Sequence, residues 1–428
     1  MMSLLTFELD QLPRRAILAV DIKSFFASVE CALRGLDPLH TRLVVVSDLN
    51  RPGGVILAAS PAVKKAYGIT TANRLFEVPR DGTVKIVEPH MSLYLSMNKR
   101  INELFEQYTE QRYVQAYSID ESFLDITGSV ALMGDAVVIA RKIKQTLFAR
   151  YQLHCSIGIG DNPLLAKLAM DNAAKKTSDG IAYWNYENIP QTVWQIKQLT
   201  DFWGIGRRTA LRLEKHGYYS VKSLAHADID ILKKEFGILG EQLYYHANGI
   251  DYTRIGETAA PLEKSYSKNQ ILFRDYHEKE EVRIIILEMV EDVAERLREQ
   301  KAIGDIIHLS VGNSRNTQAA GFSRRMKISE ATNVTSKLIQ AFSILFDRYY
   351  QGEAVRSVNV SVGGIRPDTF AQINLFENSY QLMSHQKLDQ TVDDIRQRFG
   401  KSAIMRAVSY TEAATAIQRT RIVAGHRG

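Results

Sequence analysis

Three carboxylates stand where apolar runs break off. Asp21 closes the run Ile17-Leu18-Ala19-Val20, and Asp120-Glu121 interrupt two apolar stretches. Carboxylates gathered at strand ends repel one another, and such repulsion is tolerated where divalent cations sit between them. Two such ions about 3.5–4 Å apart can clamp the attacking and leaving oxygens of a phosphoryl displacement. The other reading of an Asp-Glu turn is solvated turn chemistry, and spacing by itself does not choose. The ten histidines form no HxH or HExxH pair, and Cys31 and Cys155 form no CxxC. Any metal would therefore be a hard ion held by oxygens.

The chain that must position these groups has 428 residues, 45% of them hydrophobic and 24% charged. That composition excludes extensive disorder and leaves room for about two to four domains. No apolar stretch approaches the ~20 residues of a spanning helix. Glu8 and Asp10 interrupt the N-terminus, so it does not read as a signal peptide, and a cytoplasmic protein with two buried, reduced cysteines is expected. The net charge of +6 leans weakly towards an anionic partner.

The continuous run at 17–20 predicts a strand buried on both faces, followed by a helix through Phe25, Phe26, Val29 and Leu33. Strands at 43–46 and 55–59 flank the turn Arg51-Pro52-Gly53-Gly54. Ser60-Pro61 opens a short helix bearing Lys64 and Lys65. A strand at 83–87 and a helix over 92–109 precede a hairpin with Asp120-Glu121 at its tip. After a helix over 136–151 and a strand at 155–159, Asn162-Pro163 opens a helix to about 176. Gly158-Ile159-Gly160 lacks both GxGxxG and a Walker lysine-hydroxyl pair, and reads as a tight turn. From about 189 short helices are joined by glycines, and 253–261 reads as a linker. Residues 262–366 follow a β-α-β-β-α-β order, the split ferredoxin-like arrangement, with helices over 280–301 and 331–350. The last 60 or so residues read as helical and polar.

Asp21-Ile22-Lys23-Ser24-Phe25-Phe26-Ala27-Ser28-Val29-Glu30 and Tyr117-Ser118-Ile119-Asp120-Glu121-Ser122-Phe123-Leu124-Asp125 closely resemble the two palm signatures of Y-family translesion DNA polymerases. The segment from Ser156 to Ala169 is similar to that family's glycine-turn-helix segment. The order and spacing match from 17 to about 410, and the chain looks most like the UmuC-like branch of Gram-positive UvrX type. The resemblance implies an α+β multidomain fold: palm with mixed sheet and helices (17–34 and 77–188, after a lead-in at 1–16), small fingers (35–76), a helical thumb with a helix-hairpin-helix near 201–216 (189–252), the linker, a ferredoxin-like little finger (262–366) and a C-terminal tail (367–428). It also implies error-prone, template-directed transfer of dNTPs to a primer 3′-hydroxyl past damaged bases, in DNA repair and the SOS response.

Carried over by motif, Asp21 and Asp120 would bind two Mg²⁺ ions. Glu121 would hold the ion on the primer side, and the carbonyl of Ile22 would complete the nucleotide side. Phe26 falls at the steric-gate position that excludes a ribose 2′-hydroxyl; its bland alternative is a core residue at helical spacing. Lys65 and Lys175 resemble the cations that contact the triphosphate, although Ala62 stands where relatives carry Tyr, and a lysine on a solvated helix face is the ordinary reading of either.

Gly204 and Gly206 would let backbone N–H groups approach a DNA phosphate, with Arg207 and Arg208 adding charge. Arg315, Arg324, Arg325 and Lys327 suggest a basic sheet face in the little finger, opposite an acidic helix. Gln372-Ile373-Asn374-Leu375-Phe376 resembles a sliding-clamp-binding peptide, in which Gln372 hydrogen-bonds while Leu375 and Phe376 fill a groove. Expected partners are primer-template DNA, dNTP, the bacterial sliding clamp and, as for some relatives, UmuD-like and RecA-like proteins; no membrane is implied. The rivals are a nucleotidyl cyclase, disfavoured by the thumb-like and little-finger segments, and a non-catalytic DNA-binding scaffold, disfavoured by the complete carboxylate set.

Overall fold

The computed structural model describes residues 11–50, 53–257, 264–314, 317, 319–369, 379–420, 422–423 and 426–427. The peptide with Gln372, Leu375 and Phe376 lies outside them, as do Arg315 and the Arg51-Pro52 part of the turn. The chain divides into two compact units, Met1–Thr258 with Ala424–Gly428, and Ala259–Val423.

In the first unit the elements run β1 (Ile17–Ile22), α1 (Phe25–Leu33), β2 (Leu43–Val46), β3 (Ile56–Ala59), α2 (Pro61–Tyr67), β4 (Lys85–Val87), α3 (Met91–Phe105), β5 (Val114–Ala116), β6 (Glu121–Asp125), α4 (Val130–Met133), α5 (Ala136–Tyr151), β7 (Cys155–Gly160), α6 (Pro163–Asn172), β8 (Ile181–Trp184), α7 (Arg207–Lys215), α8 (Val221–Ala225), α9 (Ile229–Phe236) and α10 (Ile238–Ala247). The main sheet has the order β5-β6-β1-β7-β8. Its central strand β1 is antiparallel to both neighbours, while β7 and β8 are parallel. Ile17 to Val20 are buried, as a strand covered on both faces must be.

Gly158 and Gly160 are not in a turn. They lie inside β7, where α6 crosses the sheet so closely that a Cβ on Gly158 would sit 2.0 Å from the Ala166 carbonyl oxygen. The glycines serve helix–sheet contact, which a local turn motif does not distinguish from the sequence alone. Asn162 caps α6 by accepting from the Leu165 N–H at 2.9 Å, with Pro163 in the first turn.

A second, three-stranded sheet has the order β3-β2-β4. It draws in β4, past the limit at 76 expected for the fingers, because β4 pairs in parallel with β2. Helices α7 to α10 share a core that includes Phe202, Leu213, Leu224, Leu232 and Leu243 and continues into Leu164, Leu165 and Leu168 of α6.

The second unit holds β9 (Tyr266–Tyr276), α11 (Lys279–Glu299), β10 (Ala302–Asn313), β11 (Phe322–Thr332), α12 (Thr335–Tyr349) and β12 (Val355–Gly363), then α13 (Ser379–Phe399) and α14 (Ala416–Arg419). Its antiparallel sheet has the order β11-β10-β12-β9, with α11 and α12 packed over the apolar face formed by Ile307, Leu309, Val358 and Val360. The polar tail is not a loose appendage. Arg298 on α11 reaches Asp393 at 2.5 Å and Asp389 at 3.3 Å on α13, and Glu288 accepts from the Thr415 and Ala416 N–H groups at 2.9 Å. Among the described residues no helix is long and apolar enough to cross a membrane.

Candidate active site

The pairing of β1 with β6 sets Asp21 directly across from Glu121. Asp120 stands one residue before β6, and its backbone carbonyl accepts from the Ile22 N–H at 2.9 Å. Asn98 of α3 pins the turn by donating to the Ile119 carbonyl at 2.9 Å, while the Ser118 hydroxyl donates to Asp120 Oδ1 at 2.7 Å. Three carboxylates separated by up to 100 positions are thus gathered at one end of the sheet.

Two lysines counter this charge. Lys167 Nζ donates to both Glu121 oxygens, at 2.8 and 2.7 Å, and lies 3.1 Å from Asp171. Lys175 Nζ lies 3.0 Å from Asp21 and 2.8 Å from Asp171. Burial pushes the Asp21 carboxyl up to about 7, with Glu121 adding to the rise and Lys175 opposing it. Burial works against the Lys175 ammonium as well, but Asp21 and Asp171 outweigh it and hold its pKa above the ordinary lysine value. Sequence reading missed Lys167. The available signal was a lysine inside Pro163-Leu164-Leu165-Ala166-Lys167-Leu168-Ala169-Met170, a helical stretch buried throughout, since a lysine so placed is almost never without a partner.

A cavity of about 450 Å³ opens beside these groups. Its lining includes Asp21, Asp120, Lys175, Phe26, Ser24 and Lys64. Lys65 does not line it. In α2, successive side chains point about 100° apart, so only one of the two lysines can face the cavity, and it is Lys64, whose Nζ donates to Ser24 Oγ at 3.0 Å. Ser24 has φ +49°, a left-handed conformation unusual for a residue with a Cβ. It turns the chain between Asp21 and α1, and so delivers Phe26 to the cavity wall.

The carboxylates, Ser156 and the carbonyl of Ile22 form an all-oxygen donor set suited to a hard cation. Among the described residues the Ser156 hydroxyl, buried opposite Asp21, has no hydrogen-bond partner, and burial, with a smaller push from Glu121, raises the Asp21 carboxyl that a cation would hold ionised. No three carboxylate, imidazole or thiol groups converge in ligating geometry among the described residues; Glu121 is turned to Lys167 and Asp21 to Lys175.

A second cavity, of about 800 Å³, lies next to Lys167 and is lined by Tyr117, Trp203, Gly204 and Gly206 among others. Gly204 has φ +95°, and a Cβ on Gly204 or Gly206 would meet nothing within 4 Å, so both backbones face open space. Arg207 and Arg208 are exposed at the start of α7. Arg212, further along α7, is held over the Phe236 ring at 4.5 Å.

In the second unit Arg324 and Arg325 do not share a sheet face. Arg324 pairs with Leu309 on the helix side and lies 5.0 Å over the Tyr349 ring. Arg325, opposite His308, is on the open face with Ser323 and Lys327, because side chains alternate along a strand. That face continues through Ser361, Asn359 and Ser357 of β12.

Comparison with known proteins fits this geometry. A profile of the impB/mucB/samB family matches residues 20–171, and the profile of that family's C-terminal domain matches residues 263–375. The chain is 42% identical to UvrX of Bacillus subtilis (strain 168), whose name assigns it to UV-damage repair, over 97% of this chain and 99% of that one. It is 35% identical to DNA polymerase IV 2 of the same organism, over 96% and 98% of the two chains. Among solved structures it resembles a Dbh–Dpo4–Dbh Y-family DNA polymerase chimera, with a TM-score of 0.65 and 20% identity, over 82% of this chain and 99% of the chimera. The fold and site define a palm-type nucleotidyltransferase. The chain belongs to the impB/mucB/samB family, the UmuC-like group of Y-family DNA polymerases.

Proposed function

We propose that the chain is an error-prone translesion DNA polymerase whose chemistry is carried by Asp21, Asp120 and Glu121. The observation that carries this reading is the strand register that sets Asp21 against Glu121, with Asp120 beside them on the wall of an open cavity. Asp21, Asp120 and the Ile22 carbonyl would hold one Mg²⁺; Asp21, Asp120 and Glu121 would hold a second. Bound there, two hard cations would lower the pKa of a primer 3′-hydroxyl and neutralise the departing pyrophosphate.

The remaining roles belong to the protein alone. Lys175 and Lys64 present ammonium groups to the cavity where a triphosphate would lie, Lys64 taking the part first read for Lys65. Phe26 forms the cavity wall against which a deoxyribose fits and a 2′-hydroxyl collides. Gly204 and Gly206 leave backbone N–H groups approachable by a DNA phosphate, with Arg207 and Arg208 supplying sequence-independent attraction. Arg325 and Lys327, among serines and asparagines, give the little finger a face for duplex backbone. The fingers sheet of three short strands is too small for a large closing lid, which favours lesion tolerance over fidelity. Residues 372–376 would engage the sliding clamp, with UmuD-like and RecA-like proteins as further partners in an SOS response in the cytoplasm.

Primer extension with Mg²⁺ and dNTPs, on undamaged and thymine-dimer templates, tests this directly. Extension through the dimer that Asp120→Ala/Glu121→Ala abolishes is expected. No extension by the unaltered protein, even with clamp and RecA filament added, would turn the reading towards a non-catalytic DNA-binding protein.

A further inference from the structure

The most deeply buried carboxylate near the site is one that the chemistry leaves unused. Glu30 lies on α1 one helical turn beyond Phe26, on the same face, and its side chain is fully buried. It accepts from the Tyr94 hydroxyl at 2.5 Å and pairs with His90 Nδ1 at 2.8 Å, and Arg34 donates to it from the next turn of α1. Burial disfavours its charge, but these three partners outweigh burial and hold its pKa below the ordinary carboxylate range. An ionised, buried carboxylate with three partners is expensive to assemble unless something requires its position.

Tyr94 shows what that is. Its ring is fully buried and stacks on Phe26 with centroids 4.4 Å apart and planes 14° from parallel. Its hydroxyl, at the far end of the ring, is held by Glu30. Phe26 is therefore backed by a ring that cannot slide, because one end of that ring is tethered one turn along the helix that carries Phe26. Phe26 also packs against the buried cluster of Ala27, Cys31, Leu43, Val45 and Ala58, with Phe25 5.9 Å away at 50°, and it lines the cavity; of these neighbours Tyr94 is the ring that stacks on it.

We infer that Glu30 is a positioning residue for sugar selection, acting through the Tyr94 ring to fix Phe26 at the distance that admits a deoxyribonucleotide and rejects a ribonucleotide. This rests on reading Phe26 as the gate. An aromatic wall discriminates one hydroxyl only if it cannot retreat by a fraction of an ångström, since small misplacements carry large rate factors. A retreating wall would raise ribonucleotide use and leave deoxyribonucleotide use nearly unchanged. A loss of general packing would depress both together.

The test is the ratio of kcat/KM for a dNTP to that for the matching rNTP in single-nucleotide incorporation. Tyr94→Leu, which removes the ring, and Glu30→Leu, which removes the tether, should each lower the ratio about tenfold, with dNTP kcat/KM within about threefold of the unaltered protein. Glu30→Gln retains an acceptor for the Tyr94 hydroxyl and should restore most of the ratio. If the leucine variants do not fold, Tyr94→Phe decides, because it keeps the volume and loses only the tether; a ratio lowered about threefold supports the inference, and an unchanged one overturns it. Phe26→Ala separates the two readings. A ratio that collapses in Phe26→Ala but stays within twofold in the Tyr94 and Glu30 variants overturns the positioning role alone. A ratio unchanged in Phe26→Ala removes the gate reading, and the positioning role with it.

Discussion

Two groups of acidic residues, one in each unit, look alike in the sequence and are treated in opposite ways by the fold. On α11, Glu288, Glu291, Asp292 and Glu295 meet Arg396, Lys401, Arg406 and Arg419 from the segment that follows the little-finger sheet. Charge there is matched by charge, around a cavity of about 260 Å³ whose acidic lining already has its cations. At the end of the palm sheet, Lys167 pairs with Glu121 and Lys175 with Asp21, both lysines being held by Asp171 as well, and Asp21 and Asp120 line an open cavity. A carboxylate cluster with its own complement of cations holds a structure together. One left short of cations, beside a cavity, can take them from a metal or a substrate.

The contrast can be broken at either end. Removing Arg298, whose guanidinium joins Asp389 and Asp393 and is nearly buried, should lower the stability of the second unit by about 3 kcal/mol, since it strands two carboxylates. Urea denaturation of Arg298→Ala measures this, and single-nucleotide incorporation at saturating DNA should be unchanged. In the palm, Lys64→Ala should raise KM for dNTP about five- to tenfold while Lys65→Ala stays within about twofold, because only Lys64 lines the cavity. Equal effects from the two substitutions would remove the distinction between these neighbours.

The smallest effect concerns pH. Burial raises Asp21 from the ordinary carboxylate value to about 7, so between pH 4 and 7 the folded chain retains a proton that the unfolded chain has lost. Stability contributed by that proton is complete below pH 4 and is lost as pH rises through 7. Metal-free protein should therefore lose stability across this range. Asp21→Asn should flatten that part of the profile, as measured by denaturation midpoints in chelator at pH 5 and pH 8. Parallel profiles would mean that Asp21 is not held protonated by its surroundings.

Much of this was legible from residue order. The apolar run ending at Asp21, the cap at Asn162-Pro163 and the β-α-β-β-α-β order of the little finger are local signals, and the elements form where those signals lie. What was not legible depends on residues far apart in the chain. Lys167 meets Glu121 across 46 positions, and Tyr94 meets Glu30 across 64. Arg298 meets Asp393 across 95. The glycines of β7 read as a turn from sequence, because a close helix crossing leaves the same local signature as a bend. A motif gives a position and not the phase of a helix, so it does not separate Lys65 from Lys64, the one of the two that lines the cavity. Arg324 and Arg325 are neighbours in charge along the chain, but strand alternation sends them to opposite faces.

The most direct test of the central claim is single-turnover incorporation of one templated dNTP, comparing the unaltered protein with Asp21→Asn, Asp120→Asn and Glu121→Gln, with primer-template affinity measured in parallel. Loss of about a thousandfold or more in each variant, at unchanged DNA affinity, is the predicted result. A variant that incorporates at the unaltered rate would contradict the assignment of these three carboxylates as the catalytic centre.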